Sequence, residues 1–255
     1  MTETESRAQD REVGGQSVSD TERISLDLCA GLGGFSSAFE DAENWRVVTV
    51  DIEEEFDSDI CADVLDLRPA DLPAADVVLA SPPCTTFSKA CPVEKYWIPG
   101  TKEPDHPKTR KHITLTHHVV GLIKAIAPDY WFLENPVGRM RWILGQPAGT
   151  VSYCQYGKDV MKPTDLWGNH PQGFEYRWCG YADDCHKSNT HGGCANTEDP
   201  YPRDPAERAK VPYELSESIL QAVEGRQEQQ TLSAVVDGGN ARSVDANTDR
   251  TGENR

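Results

Sequence analysis

The chain has 255 residues, room for one domain with appendages, and its 42 acidic side chains outnumber 25 basic ones to leave a formal charge of −17. No run approaches the length of a membrane-spanning helix and the first residues are polar and acidic, which argues against a membrane protein or a secreted one and for a soluble, cytoplasmic chain. So acidic a surface repels phosphates in dilute buffer, so either nucleic acid is not a partner or the protein is adapted to high salt, where that repulsion is screened within a few Å; we expect the second.

Residues 1–22 and 225–255 are rich in Ser, Thr, Asp, Glu, Gln, Gly and Asn and are expected to be disordered tails. Between them, 23–165 reads as the main domain, 166–205 as a loop-rich insertion and 206–224 as a helix returning to the domain. Eight cysteines in a cytoplasmic chain are expected to be thiols, ligands or nucleophiles rather than disulfides.

Arg23-Ile24-Ser25-Leu26-Asp27-Leu28-Cys29 reads as a strand, Ala30-Gly31-Leu32-Gly33-Gly34 as a glycine turn, and the residues from Phe35 as the start of a helix. Glycines let a backbone approach a ligand, and a helix N-terminus offers unpaired N–H groups. The next strand, Trp45 to Val50, ends in Asp51, about 20 residues past Gly31, where nucleotide-binding folds place an acid on ribose hydroxyls. Residues 59–64 suggest a short third strand with Asp63 at its end.

The apolar run Asp76-Val77-Val78-Leu79-Ala80 reads as a buried strand, stopped by Pro82 and Pro83, neither of which can donate to a sheet. Cys84 is thereby delivered to the carboxyl end of a strand, where open α/β sheets bind ligands. Residues 89–112 hold six Lys and Arg in an otherwise acidic chain. With five prolines and glycines among them they read as a mobile, phosphate-binding loop beside Cys84, with Lys108, Arg110 and Lys111 as nucleic-acid contacts. A helix is expected over 113–127, then an apolar strand Tyr130-Trp131-Phe132-Leu133 followed by Glu134-Asn135-Pro136. Glu134 is expected to gain a raised pKa through burial. Arg139 and Arg141 read as phosphate contacts or solvated charges. A further strand is read over 149–154. The insertion holds Cys179, Cys185, His186, His191 and Cys194, any four of which could hold zinc, although their spacing is not a paired Cys-x-x-Cys pattern and no metal is assigned. A last helix is expected to open over 208–216.

Asp27-Leu28-Cys29-Ala30-Gly31-Leu32-Gly33-Gly34-Phe35, then Pro83-Cys84, then Glu134-Asn135, in this order, resembles the DNA cytosine-5 methyltransferases over roughly residues 24–165. The resemblance implies a Rossmann-like α/β fold with a seven-stranded, mostly parallel sheet covered by helices on both faces. It implies S-adenosylmethionine as cofactor, held by Asp27, Gly31, Gly33, Phe35, Asp51, Asp63 and Pro83, and DNA with a flipped-out cytosine as substrate. Cys84 matches the nucleophile and Glu134 the acid. The family's arginine pair has no clear match here; Lys162 is read as standing in for one of those arginines, as a further nucleic-acid contact. Thr85 replaces the usual glutamine after the cysteine, and no full-sized target-recognition domain is present, so a short target or a specificity partner is expected of this monomer, in a restriction-modification or viral setting. The rival readings are an amino-methyltransferase acting on cytosine N4 or adenine N6, suggested by Ser81-Pro82-Pro83, methylation of RNA, and an inactive nucleic-acid binder.

Overall fold

The computed structural model describes residues 22–180, 184–186 and 204–225. Both expected tails, and His191 and Cys194, lie outside the described residues apart from Glu22 and Gly225 at the edges. Seven strands, β1 (Arg23–Leu28), β2 (Trp45–Asp51), β3 (Ile60–Cys61), β4 (Val77–Ala80), β5 (Tyr130–Pro136), β6 (Gly149–Ser152) and β7 (Pro163–Asn169), form one sheet in the order β3-β2-β1-β4-β5-β7-β6. β1 to β5 pair in parallel, and β7 runs antiparallel to both its neighbours. The expected seven-stranded, mostly parallel α/β sheet is the architecture found.

All four residues of β4 are fully buried, as the continuous apolar run requires of a central parallel strand. Alternate side chains feed opposite layers. Val78 and Ala80 face a core shared with Leu115, Val119, Leu122 and Ile123 of the long helix α3 (Pro107–Ile126), which follows the short helices α1 (Ser37–Glu40) and α2 (Val93–Tyr96). Val77 and Leu79 face a second core with Phe35, Phe39 and Trp45, covered by Leu215, Ile219 and Val223 from the C-terminal helix. Helices therefore cover both faces. The chain order reverses between β1 and β4, whose carboxyl ends carry the glycine turn and the Pro83-Cys84 loop; that is the crevice where such sheets place ligands.

Several boundaries differ from the sequence expectation. β7 crosses the expected domain limit at residue 165 and runs to Asn169. Its Pro, Asp, Gly and Asn are poor strand formers, and tertiary partners override them: Asp165 is held by Arg141 and Thr150, and Gly168, lacking a Cβ, lets the Trp131 carbonyl come close. β5 runs through Glu134 to Pro136, because β7 supplies the pairing. The expected third strand shrinks to Ile60–Cys61, and Asp63 instead caps a 3-10 turn by accepting from Leu65 N at 3.1 Å. α3 begins at Pro107, six residues before the expected start at 113, because proline suits the first helical position and His106 Nδ1 accepts from Lys108 N at 3.0 Å. A turn of helix follows at α4 (Arg141–Leu144). The last expected helix is two: α5 (Pro205–Ala209) and α6 over residues 213–225, broken where Lys210 turns extended ahead of Pro212.

Residues 85–106 contribute aromatic side chains to the core of the domain. Phe87, Tyr96 and Trp97 are buried in the α3 core, and Trp97 Nε1 donates to the Thr86 carbonyl at 2.8 Å. Arg139 is buried too: its guanidinium donates to the carbonyls of Ser88 at 2.8 Å and Cys91 at 3.1 Å. Neither Arg139 nor Arg141 faces solvent freely, since Arg141 makes a two-pronged pair with Asp165 at 2.6 Å. The segment's prolines and glycine drew the expectation of a loop and its charges that of phosphate contacts, while its aromatic area packs it against the core.

Candidate active site

The end of β4 and the end of β5 are adjacent, so the turn that carries Cys84 sits beside the strand that carries Glu134. Pro82 and Pro83 stop pairing after Ala80, and the chain turns at Cys84, whose carbonyl accepts from Phe87 N and Ser88 N, each at 2.9 Å. Asn135 fixes that turn to β5: its side-chain amide donates to the Pro82 carbonyl at 2.9 Å. Within the Glu134-Asn135 pair, the amide fixes position and the carboxyl belongs to the strand beside the Cys84 turn.

Glu134 is almost wholly buried, with Oε1 accepting from the Tyr153 hydroxyl at 2.9 Å and Lys162 Nζ 3.8 Å away. Burial pushes its pKa up, against the opposing pull of Lys162 and of the Tyr153 hydrogen bond, with Asp165 adding to the rise. This is the direction a proton donor near neutral pH requires. The Cys84 thiol is also pushed up, first by burial and then by Glu134 and Cys91, while Lys162 pulls it down. The cation that acts on Cys84 is therefore Lys162, and not the basic run at 108–111. Lys162 is itself steered by the carbonyls of Arg208 and Ala209, at 3.2 and 3.5 Å, and lies 4.5 Å from the Tyr153 ring centre.

Two cavities flank Pro83. One, of about 360 Å³, opens onto Cys84, Thr85, Ser88, Pro136, Lys162 and Arg208. The other, of about 300 Å³, lies between the ends of β1, β2 and β4 and is lined by Cys29, Asp51, Ile52, Asp63, Val64 and Leu115, with Lys108, Lys111 and His112 at its side. Both sizes suit small-molecule sites. Asp51 accepts from Gly31 N at 2.8 Å and from Glu53 N at 3.0 Å, so the β2 carboxylate shapes the glycine turn of β1. Gly31 and Gly33 have φ of +54° and +66°, the left-handed region where a side chain is strained. Asp63 Oδ2 accepts from Lys111 Nζ at 3.0 Å, and its pKa is lowered: burial raises it, and the bonds from Leu65 N and Lys111 more than offset that. Asp27 sits beneath, fully buried, taking one hydrogen bond from Ser36 Oγ at 2.9 Å with its other oxygen unpartnered; burial pushes its pKa up to about 7.

The expected site residues therefore divide. Cys84, Glu134 and Lys162 come together on one side of Pro83, and Asp51 and Asp63 on the other. Phe35 does not join them: it is a core residue, 1% exposed, packed with Leu215 and Ile219, and its carbonyl accepts from Ser216 Oγ. Lys108 and Lys111 flank the acidic cavity from the first turns of α3, while Arg110 folds back onto the carbonyls of Pro104 and Asp105. Tyr153 was missed, because nothing in the strand pattern of 149–154 marks one tyrosine as the partner of Glu134. His112 was missed as well; burial lowers its pKa to about 4, keeping the ring neutral, and its Nδ1 lies 3.1 Å from the buried Thr86 hydroxyl. Of the zinc candidates, Cys179, Cys185 and His186 converge, and their fourth neighbour is Cys154.

Comparison with known proteins identifies the family of the chain. The model of the C-5 cytosine-specific DNA methylase family matches residues 24–141. Among solved structures, similarity is found to a candidate DNA modification methyltransferase encoded within an E. coli prophage, at 18% identity and a TM-score of 0.40 over 57% of this chain and 46% of that one. It is also found to the S. pombe Dnmt2 methyltransferase, at 16% identity and a TM-score of 0.37 over 57% and 48%. The chain thus spans less than half the length of those two structures. A probable DNA (cytosine-5)-methyltransferase of Frog virus 3 (isolate Goorha) is 33% identical over 171 residues, which are 63% of this chain and 76% of that relative. At that identity and coverage, the chain belongs to the C-5 cytosine-specific DNA methylase family.

Proposed function

We propose that the chain transfers a methyl group from S-adenosylmethionine to C5 of a cytosine flipped out of DNA, with Cys84 as nucleophile and Glu134 as acid. The observation that carries this reading is the pair of cavities sharing Pro83 as a wall, one beside the acidic strand ends and the other beside Cys84.

The first cavity suits the cofactor. Asp51 offers acceptors to ribose hydroxyls, Asp63 to an adenine amino group, and Ile52 and Val64 offer apolar walls to a purine. When bound, S-adenosylmethionine supplies an electrophilic methyl on sulfonium. The rest falls to this chain's side chains. Cytosine C5 is a weak nucleophile until a thiolate adds to C6. Cys84 supplies that sulfur, and Lys162 favours its ionised form. Glu134, whose pKa burial raises, is the acid that donates to N3 and stabilises the charge that develops on the ring. C5 then takes the methyl group, its proton leaves, and expulsion of Cys84 restores aromaticity. The acidic surface fits a protein working in concentrated salt, where its repulsion of DNA is screened.

The test uses DNA carrying 5-fluorocytosine, in which the last elimination is blocked. With S-adenosylmethionine present, a denaturation-resistant protein–DNA adduct through Cys84 is expected, and Cys84→Ala should abolish both adduct and methylation while cofactor binding persists. An amino-methyltransferase would form no adduct, an inactive binder would transfer no label, and an RNA enzyme would prefer RNA oligonucleotides. Methylation of DNA by the Cys84→Ala protein would overturn the reading.

A further inference from the structure

We propose that Cys154, Cys179, Cys185 and His186 form a zinc site that fastens the segment following β7 to the body of the domain. It stands apart from the proposed methyl transfer and does not depend on it. The four donor atoms lie within 4.8 Å of one another. Cys154 belongs to the 3-10 turn after β6, Cys179 lies ten residues beyond the end of β7, and Cys185 follows in a turn with His186 next to it, so the group joins stretches of chain far apart in sequence.

The distances have the right scale. Zinc–sulfur bonds of about 2.3 Å and zinc–nitrogen bonds of about 2.0 Å, arranged tetrahedrally, put two sulfurs about 3.8 Å apart and a sulfur and a nitrogen about 3.5 Å apart. Cys185 Sγ is 3.7 Å from Cys154 Sγ, and His186 Nδ1 is 3.5 Å from Cys185 Sγ and 3.8 Å from Cys179 Sγ. The Cys154–Cys179 pair is closer, at 3.0 Å, and opens by under an ångström to admit an ion. A disulfide between those two would account for only two of the four donors. Three sulfurs and one imidazole, two of the cysteines buried, match the soft ligand set of closed structural zinc sites. Gln155 Nε2 lies 3.2 Å from Cys185 Sγ, a donor of the kind that supports a metal thiolate. The site is one residue from Tyr153, so it also holds the tyrosine that touches Glu134.

The test is metal analysis of the full chain purified without chelator, with zinc release by a thiol-blocking mercurial. About one zinc per chain is expected, falling to below about a tenth in Cys154→Ser, Cys179→Ser and Cys185→Ser, and unchanged in Cys61→Ser, which alters an exposed cysteine elsewhere. Because these variants can also fail by misfolding, the unaltered chain is stripped and reloaded with cobalt. Thiolate-to-cobalt charge-transfer bands and the intense visible bands of tetrahedral cobalt are then expected, along with a melting temperature that rises with zinc. A folded chain that takes up neither ion would overturn the site. So would peptide mapping that finds a Cys154–Cys179 disulfide in that folded, metal-free chain, or zinc that is lost from His191→Ala and Cys194→Ser yet kept by the Cys154 and Cys185 variants.

Discussion

Tyr153 gives its hydroxyl hydrogen to Oε1 of Glu134 across 2.9 Å, and both groups are buried. That bond favours the ionised carboxylate, while burial favours the neutral acid, and burial wins. Tyr153→Phe removes the first effect and keeps the second. The Glu134 pKa should rise further, so the alkaline limb of the methylation rate, where Glu134 loses its proton, should move to higher pH. The rate on the plateau should drop about tenfold as the carboxyl loses its anchor. A pH–rate profile checks this; an unmoved limb would separate Tyr153 from proton transfer.

Lys162 is the cation common to Cys84 and Glu134, pulling both pKa values down. Lys162→Met should therefore raise both, leaving less thiolate at a given pH. Alkylation of Cys84 by iodoacetamide should slow several-fold near neutral pH, and its midpoint should move up. Equal alkylation profiles for the two proteins would mean that Lys162 serves only the carbonyls of Arg208 and Ala209.

The acidic cavity makes a prediction that the charge pattern of the sequence does not. Asp51→Ala removes both the acceptor proposed for ribose and the brace on Gly31 N, so S-adenosylmethionine affinity should fall by about 1.5–3 kcal/mol. Lys111→Ala frees an oxygen of Asp63 from its exposed ion pair and should change cofactor affinity while leaving the salt dependence of DNA binding as it is. Calorimetry for the cofactor and a salt titration for DNA separate these. A flatter salt slope in Lys111→Ala would return the residue to the DNA side.

Asp27 ties stability to pH. Its pKa rises from 3.8 to about 7 on folding, because it is buried with one oxygen unpartnered and with Asp51 nearby. The folded state thus binds this proton more tightly than the unfolded state does. The stability it contributes is fully present below pH 3.8 and is lost as pH rises through about 7. Asp27→Asn should remove that slope, a difference on the order of a few kcal/mol between the two ends of the window. Denaturant melts across this range decide it: parallel curves for the two proteins would refute the shift.

Periodicity and punctuation were enough to read β1, β2, β4 and the Pro82-Pro83 stop, because buried parallel strands are continuous apolar runs and proline ends them whatever surrounds it. The order of the glycine turn, Cys84 and Glu134 along the chain was likewise legible, and with it the family. Sequence by itself did not determine β7, whose Asp165 and Gly168 suit a strand only because Arg141, Thr150 and the Trp131 carbonyl stand opposite. Nor did it determine the partners of charges. The basic run at 108–111 has one composition and three fates: Lys111 on Asp63, Arg110 on its own chain, and Lys108 beside the acidic cavity. Cys154 joins Cys179, Cys185 and His186 only because β7 returns antiparallel between β5 and β6. Local pattern is set by the covalent chain and its nearest neighbours, so sequence carries it. Which charge meets which depends on contacts between residues far apart in the chain, and only the folded arrangement of the sheet decides those.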